Sequence, residues 1–239
     1  MTRNSGDRLS SQLEKMSEYC DGVCAVNDRS TDNTRDVLRS HPLVKNEVTI
    51  PSDLSSQPWY FDEGTLLNLC YKLAEVCKPD WIIRIDDDEE LFGAHGVRRF
   101  LAEQPASVAA VAFPRVSTWS DVEYPDMVPL MSKATAPQGA GLWRFHRDVF
   151  AAKRFHNPRI PAQVYSAGTV IQADSMSLMH DGWDTLKKRI EKVDLYNQLD
   201  PTCELNGGVP YDRGLLFGFE RSNITGLIDE YKRRLEGIS

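Results

Sequence analysis

The chain has 239 residues, 41% apolar and 26% charged, enough for one large domain, or one domain with an appendage, around a real core. Thirty-five acidic against 28 basic side chains leave a net charge of −7, which weighs against a dedicated nucleic-acid binder. No run of about eighteen apolar residues occurs. The first residues, M-T-R-N-S-G-D, lack the apolar stretch of a secretory signal, and the five cysteines show no zinc-like pairing. A cytoplasmic protein with buried, reduced thiols and no membrane span is expected.

Leu9, Leu13 and Met16 recur at helical spacing and predict an amphipathic helix over about residues 7–19. Residues 22–27 (G-V-C-A-V-N) read as a strand, and Ser30-Thr31-Asp32-Asn33-Thr34 is a helix-starting cluster before Val37 and Leu38. A strand over 48–50 closes at Pro51, and a loop follows over 52–60. Asp62 is the expected N-cap of a helix whose stripe is Leu66, Leu69, Cys70, Leu73 and Val76. Pro79 ends that helix just before an apolar strand, W-I-I-R-I, over 81–85. Strands alternating with helices predict an α/β sheet with parallel pairing.

Five acids follow at once: Asp86, Asp87, Asp88, Glu89 and Glu90. Carboxylates this close repel, and they are costly unless solvated or bridged by a cation. At the carboxyl edge of an α/β sheet, strand alternation would turn Asp86 and Asp88 to one side and Asp87 to the other. Two carboxylates on one side can address one hard divalent cation. A solvated acidic turn is the competing reading.

Further along, 97–102 reads as a short helix, 108–116 as one long buried strand and 117–140 as a long surface excursion. Residues 142–145 and 175–180 read as strands, the second ending in His180. Between them lies a poorly patterned stretch containing Pro158 and Pro161. Asp184 is placed to cap a helix with Leu186, Ile190, Val193 and Tyr196 inward and Lys187, Lys188 and Lys192 outward. After chain-breaking Pro201, Gly207, Gly208 and Pro210, a last helix is expected over 224–235. The expected division is a domain over 1–200 and a helical tail over 201–239.

Two motifs therefore stand at strand ends, N-D-R-S-T-D-N-T from Asn27 and D-D-D-E from Asp86. With L-M-H-D-G-W from Leu178, they resemble the family-2 glycosyltransferases and their GT-A relatives. In that family the first motif reads roughly D-D-G-S-T-D-G-T and a D-x-D follows. The resemblance is good over about 3–105 and loose over about 140–200. It implies a GT-A fold, a mixed and mainly parallel sheet flanked by helices with a helical C-terminal extension. It further implies transfer from a nucleotide-diphosphate sugar, uridine slightly favoured, with inversion at the anomeric carbon.

In such enzymes Mn²⁺ or Mg²⁺ neutralises the diphosphate as the glycosyl bond breaks. The resemblance assigns Asp88 as direct ligand, Asp86 to metal-bound water or the ribose, and His180 to completing the metal site. Asn27, Asp28, Asp86 and Asp87 fall on the nucleotide-binding positions, and Arg3 and Asn4 on residues that close the pocket. Glu89 is expected to orient its neighbours and Glu90 to be a solvated acid. His180 has an equally plain alternative as a core-capping histidine, and Ser30, Thr31 and Asp32 are expected to cap the next helix.

The sequence departs from the pattern in four places. Asn27 replaces an acid, and an amide suits a uracil imide, whereas a carboxylate such as Asp28 suits guanine. Arg29 replaces a common glycine, to reach phosphate or simply solvent. The apolar strand that precedes Arg3-Asn4 in the family is reduced to 1–3, or the chain is truncated. No E-D pair marks the catalytic base, leaving Asp121, Glu123, Asp126 and Asp181 as candidates. Two competing functions are a degenerate nucleotide-sugar-binding module and a nucleotidyltransferase, the latter disfavoured because no Gly-rich basic phosphate loop is present. No motif identifies the acceptor (glycan, lipid-linked, small molecule or nucleic acid) or the oligomeric state. Lys187, Lys188, Arg189, Lys192 and Lys232-Arg233-Arg234 read as solvated helix faces.

Overall fold

A computed structural model describes residues 1–53, 62–117, 130–132, 140–146, 149–151, 157–173, 175–180, 186–202 and 204. At 115–117, 130–132, 140, 186–190, 193 and 199 it describes backbone alone. The elements run α1 (Gly6–Ser17), β1 (Val23–Asp28), α2 (Thr34–Ser40), β2 (Val44–Ile50), α3 (Glu63–Cys77), β3 (Trp81–Ile83), β4 (Glu89–Phe92) and α4 (Val97–Ala102). Then come β5 (Val108–Phe113), β6 (Arg115–Ser117), β7 (Leu130–Ser132), β8 (Ala140–Arg144), α5 (Val164–Ala167), β9 (Thr169–Gln172), β10 (Ser177–His180) and α6 (Leu186–Leu199). The chain forms two compact units, one of Met1–Asp87, Gly93–Phe113 and Ala134–Met176, the other of Asp88–Phe92, Pro114–Lys133 and Ser177–Ser239.

In the first unit β1 and β2 pair in parallel, with α1 and α2 packed so that Leu9, Leu13, Ala25, Leu38 and Leu43 make one buried cluster. α3 begins where expected: the Asp62 carboxylate accepts the Thr65 backbone N–H at 3.2 Å. It ends at Lys78, which takes a left-handed φ of 50°. A second sheet runs β3-β8-β5-β9. Its core joins Leu67 and Tyr71 of α3 to Ala109, Ala110, Trp143, Phe150, Ile160 and Val164. Tyr71 stacks on Trp143 with ring centroids 6.4 Å apart, and Phe150 meets the same indole edge-on.

The second unit holds the sheet β4-β10-β6-β7 and helix α6. β10 is its spine, antiparallel to β4 with His180 opposite Glu89, and parallel to β6.

The mixed α/β class matches expectation, but a single mainly parallel sheet does not. Among the described residues the sheets are three and open. β1–β2, β5–β9 and β6–β10 pair in parallel, while β3–β8, β5–β8, β4–β10 and β6–β7 pair antiparallel. The long strand expected over 108–116 divides at Pro114, which has no N–H to continue a ladder and whose carbonyl accepts Leu178 N–H at 2.8 Å. Its two parts join different sheets. The strand of residues 81–85 stops at Ile83, and a separate strand, β4, starts within the acids themselves. There Glu89 and Leu91 are buried while Phe92 is exposed, an alternation that the charge of Glu89 conceals.

The thiols also differ from expectation. Cys20, Cys24 and Cys70 are half-buried and Cys77 is exposed, all free. Cys203 lies outside the described residues. Burial pushes the Cys20 thiol up to about 12, and burial with neighbouring Cys77 does the same for Cys24, so both stay protonated at neutral pH. Among the described residues no helix is long and apolar enough to cross a membrane.

Trp143 is 2% exposed and carries two aromatic contacts, so Trp143→Ala removes the centre of the second core. A loss of about 3–5 kcal/mol in urea unfolding is expected. A loss below about 1 kcal/mol would mean that the surrounding side chains collapse into the space.

Candidate functional site

The first unit places its site residues around the carboxyl end of β1. Thr2 makes a single parallel bridge to Asn27: its N–H donates to Val26 O at 3.0 Å, and its carbonyl accepts Asp28 N–H at 2.8 Å. Arg3 is exposed. Asn4, at φ 49°, is tied to the loop after β1. Its amide oxygen accepts Thr31 N–H at 2.8 Å and its N–H donates to Ser30 Oγ at 2.9 Å.

Asp32 joins the starts of two helices, as its place in the helix-starting cluster suggests. One carboxylate oxygen accepts Thr34 N–H at 3.0 Å and the other Gly6 N–H at 3.0 Å. Burial opposes the charge, but these hydrogen bonds and that of the Thr34 hydroxyl outweigh it and hold the carboxyl below its ordinary value. The approach at Gly6 is close, since an added Cβ would meet Asn33 Oδ1 at 1.6 Å.

Asn27, Asp28 and Arg29 are all buried. Asn27 donates weakly to Thr49 Oγ1 at 3.4 Å, and its amide oxygen has no partner among the described residues. Arg29 does not face solvent. It folds back on Asp28 through Nε at 2.6 Å and Nη2 at 2.8 Å, both side chains being 2% exposed. Its φ of 54° is the left-handed conformation that a glycine would adopt without strain. The bidentate pair compensates the backbone cost at this position.

Residues 84–86 are not strand and Asp87 and Asp88 sit in a turn, so strand alternation does not orient the three acids. Each has its own cation instead. Asp86 is paired with Arg159 at 2.8 Å and Arg84 at 3.5 Å, and Gln12 donates to its backbone carbonyl at 2.9 Å. Arg84 in turn reaches buried Glu63 at 2.5 Å, which also accepts Asn157 N–H at 3.0 Å. Asp87 pairs with Arg8 at 3.2 Å and accepts the hydroxyls of Thr2, at 2.9 Å, and Ser5. Glu63 and Arg159 escaped sequence reasoning. Glu63 carried a faint signal as a first-turn acid beside a cap, and Arg159 none in its unpatterned stretch.

In the second unit Asp88, just before β4, and His180, the last residue of β10, meet with Oδ2 and Nε2 3.4 Å apart. Lys192 of α6 completes a triangle, its ammonium 3.1 Å from Asp88 and 3.4 Å from His180. Lys192 is half-buried here and does not lie on a solvated face. Burial disfavours the Asp88 charge, but the His180 hydrogen bond and the Lys192 ammonium prevail and hold its carboxyl well below the usual carboxylate range. Glu89, opposite His180 across the ladder, is buried, and Glu90 is half-buried, so Glu90 is not a fully solvated acid.

The Asp88 carboxylate suits a hard divalent ion and the His180 imidazole a softer one, so of Mn²⁺ and Mg²⁺ the pair fits the softer Mn²⁺ better, with the remaining ligands left to water or other oxygens. Among the described residues no group of three or more His, Cys, Asp or Glu side chains could hold a metal, so the fit is that of an open, two-donor site. The base candidates Asp121, Glu123, Asp126 and Asp181 lie outside the described residues, as do the side chains of Lys187, Lys188 and Arg189.

No family model matches the chain. Across 99% of its length it is 39% identical to an uncharacterized protein of Mycobacterium tuberculosis and, equally, to one of Mycobacterium bovis. The chain spans 59% of the length of these curated relatives.

Two variants test the first unit. Arg29→Gly relieves about 1–2 kcal/mol of left-handed strain but strands a buried carboxylate, at a cost of about 3–5 kcal/mol. A net destabilisation of about 1–4 kcal/mol in urea is expected, and unchanged or raised stability would show that the pair contributes nothing. For Asp32 the depressed folded value means a contribution fully present above the unfolded carboxylate value of about 3.9 and lost as pH falls through the folded one. Asp32→Asn should therefore melt below the wild type at pH 7 and converge with it in acid, whereas a gap that persists at pH 2 would rule out the charge as its source.

Proposed function

We propose that this chain is a metal-dependent glycosyltransferase of the GT-A type, transferring a sugar from a nucleotide-diphosphate sugar to an acceptor with inversion. The observation that carries this reading is the meeting of Asp88 and His180, far apart in sequence, at 3.4 Å beside paired strands. A carboxylate beside an imidazole supports a site for Mn²⁺ ahead of Mg²⁺, and Asp88 and His180 are the residues that would hold it. The ion would supply Lewis-acid neutralisation of the departing diphosphate.

Asn27 keeps a buried amide oxygen without a partner among the described residues, the acceptor that an imide N–H needs. Asp28, the better match for guanine, is committed to Arg29. Both points favour a uridine donor. With Asp86 held by Arg159 and Arg84, the ribose is a better assignment for it than the metal. Arg3, Asn4 and Asp87 remain as closing residues of the nucleotide site.

A second reading, a nucleotide-sugar-binding module without turnover, is favoured by one observation: each of Asp86, Asp87 and Asp88 already has a cationic partner from the chain. Calorimetry with UDP- and GDP-sugars, with and without Mn²⁺, combined with an assay of slow donor hydrolysis, separates the two. Metal-dependent binding with hydrolysis is the expected result. Binding without hydrolysis would favour the module, and silence toward every donor would reject both. Asp88→Ala should fold, by circular dichroism, yet lose about 100-fold or more in hydrolysis, the worth of a few kcal/mol of charge stabilisation. Hydrolysis at the wild-type rate would sink the metal assignment.

A further inference from the structure

We propose that Lys192 is a tethered cation that holds the Asp88–His180 pair and must be displaced by an incoming divalent ion, setting metal affinity from within the chain. This rests on reading that pair as the metal site. The three polar atoms form a nearly equilateral triangle, with sides of 3.1, 3.4 and 3.4 Å. An ion about 2.1 Å from both Asp88 Oδ2 and His180 Nε2 would lie no more than about 4 Å from the Lys192 nitrogen wherever it sat. Two cations at that distance among partly buried side chains repel strongly, so ion and ammonium exclude one another.

The side chain is built to leave. Its backbone is fixed in the fourteen-residue helix α6, but the four-carbon stem is flexible and about a quarter of the side chain is exposed. By contrast His180 is 4% exposed on a paired strand and Asp88 13%, so the ligands stay and the ammonium moves. The exchange also changes the charge. Asp88 with Lys192 sums to zero, whereas Asp88 with a divalent ion sums to +1 and releases a second positive charge on a mobile stem. Metal loading thus turns a charge-matched Asp88–Lys192 pair into a place for a diphosphate.

Mn²⁺ titration followed by electron paramagnetic resonance tests this on the full chain, without donor and without any activity assay. Lys192→Met should bind Mn²⁺ about 10-fold or more tighter than the wild type, and Lys192→Arg no tighter. In metal-free buffer Lys192→Met should also melt at a lower temperature, since Asp88 loses a partner, with Mn²⁺ restoring the loss. Lys192→Gln repeats the test with a polar tip. If both neutral variants fold only when Mn²⁺ is present, the proposal is supported, and if they fail to fold even then, it is overturned. Equal or weaker Mn²⁺ binding by folded Lys192→Met, beside measurable wild-type binding, overturns the tethered cation and leaves the metal site standing. No bound Mn²⁺ in any of these proteins overturns both.

Discussion

Three carboxylates in a row cannot be packed into a protein without compensation, and the structure around Asp86–Asp88 follows from that constraint. Like charges on adjacent residues raise each other's energy, and partial burial raises it further. Each acid is accordingly matched by a cation from a different part of the chain: Asp86 by Arg159 and Arg84, Asp87 by Arg8 of α1, and Asp88 by Lys192 of α6. These ion pairs are long-range in sequence, so they also fix where the loop around residue 159 and helix α1 sit in the first unit. Arg84 extends the same logic one step, since it balances buried Glu63, whose other oxygen anchors the backbone of Asn157. Buried ion pairs of this kind add little net stability, but losing one partner is costly, so the network specifies an arrangement more than it strengthens one.

A second compensation acts at the end of β1. The loop there needs a residue in the left-handed region, a conformation open to glycine and strained for arginine. Arginine is nonetheless present because it closes back on Asp28 with two hydrogen bonds. Backbone strain and charge burial are thereby solved together by adjacent residues, and the loop is left free to take Asn4, Thr31 and Asp32 as its fastenings.

What was legible in the sequence follows from how local its cause is. α1, α3 and α4 were visible because apolar spacing, the Asp62 cap and Pro79 act within a few residues. The strand content of β1, β8 and β10 was visible for the same reason. Sheet membership was not, because pairing partners lie far along the chain, and a proline at position 114 sends two halves of one apolar run into different ladders. β4 was hidden by Glu89, whose inward position is imposed by β10 and contradicts its own propensity. In the candidate site, the nearness of Asp88 and His180 accords with what the family resemblance implied, where His180 had an equally plain reading as a core-capping histidine. Lys192 was not anticipated, since a lysine on a helix reads as solvated until the strand it faces is known.

The distribution of charge bears on how such a site can respond to a ligand. A pocket of uncompensated acids would bind any cation and hold it, whether or not a substrate were present. Acids already satisfied by the chain's own arginines and lysine bind a new charge only by exchange, and the free energy of binding is reduced by that of the pair that is broken. Under the proposed function a diphosphate arriving with a divalent ion would bring both charges needed for the exchange, anionic oxygens for the displaced ammonium and a cation for Asp88. Either charge alone would leave a half-buried group unpaired. Under the proposed function the Asp88–Lys192 pair would thus favour joint binding of ion and diphosphate over binding of the ion by itself, and this selectivity would follow from position 192 carrying a flexible cation in place of an apolar residue.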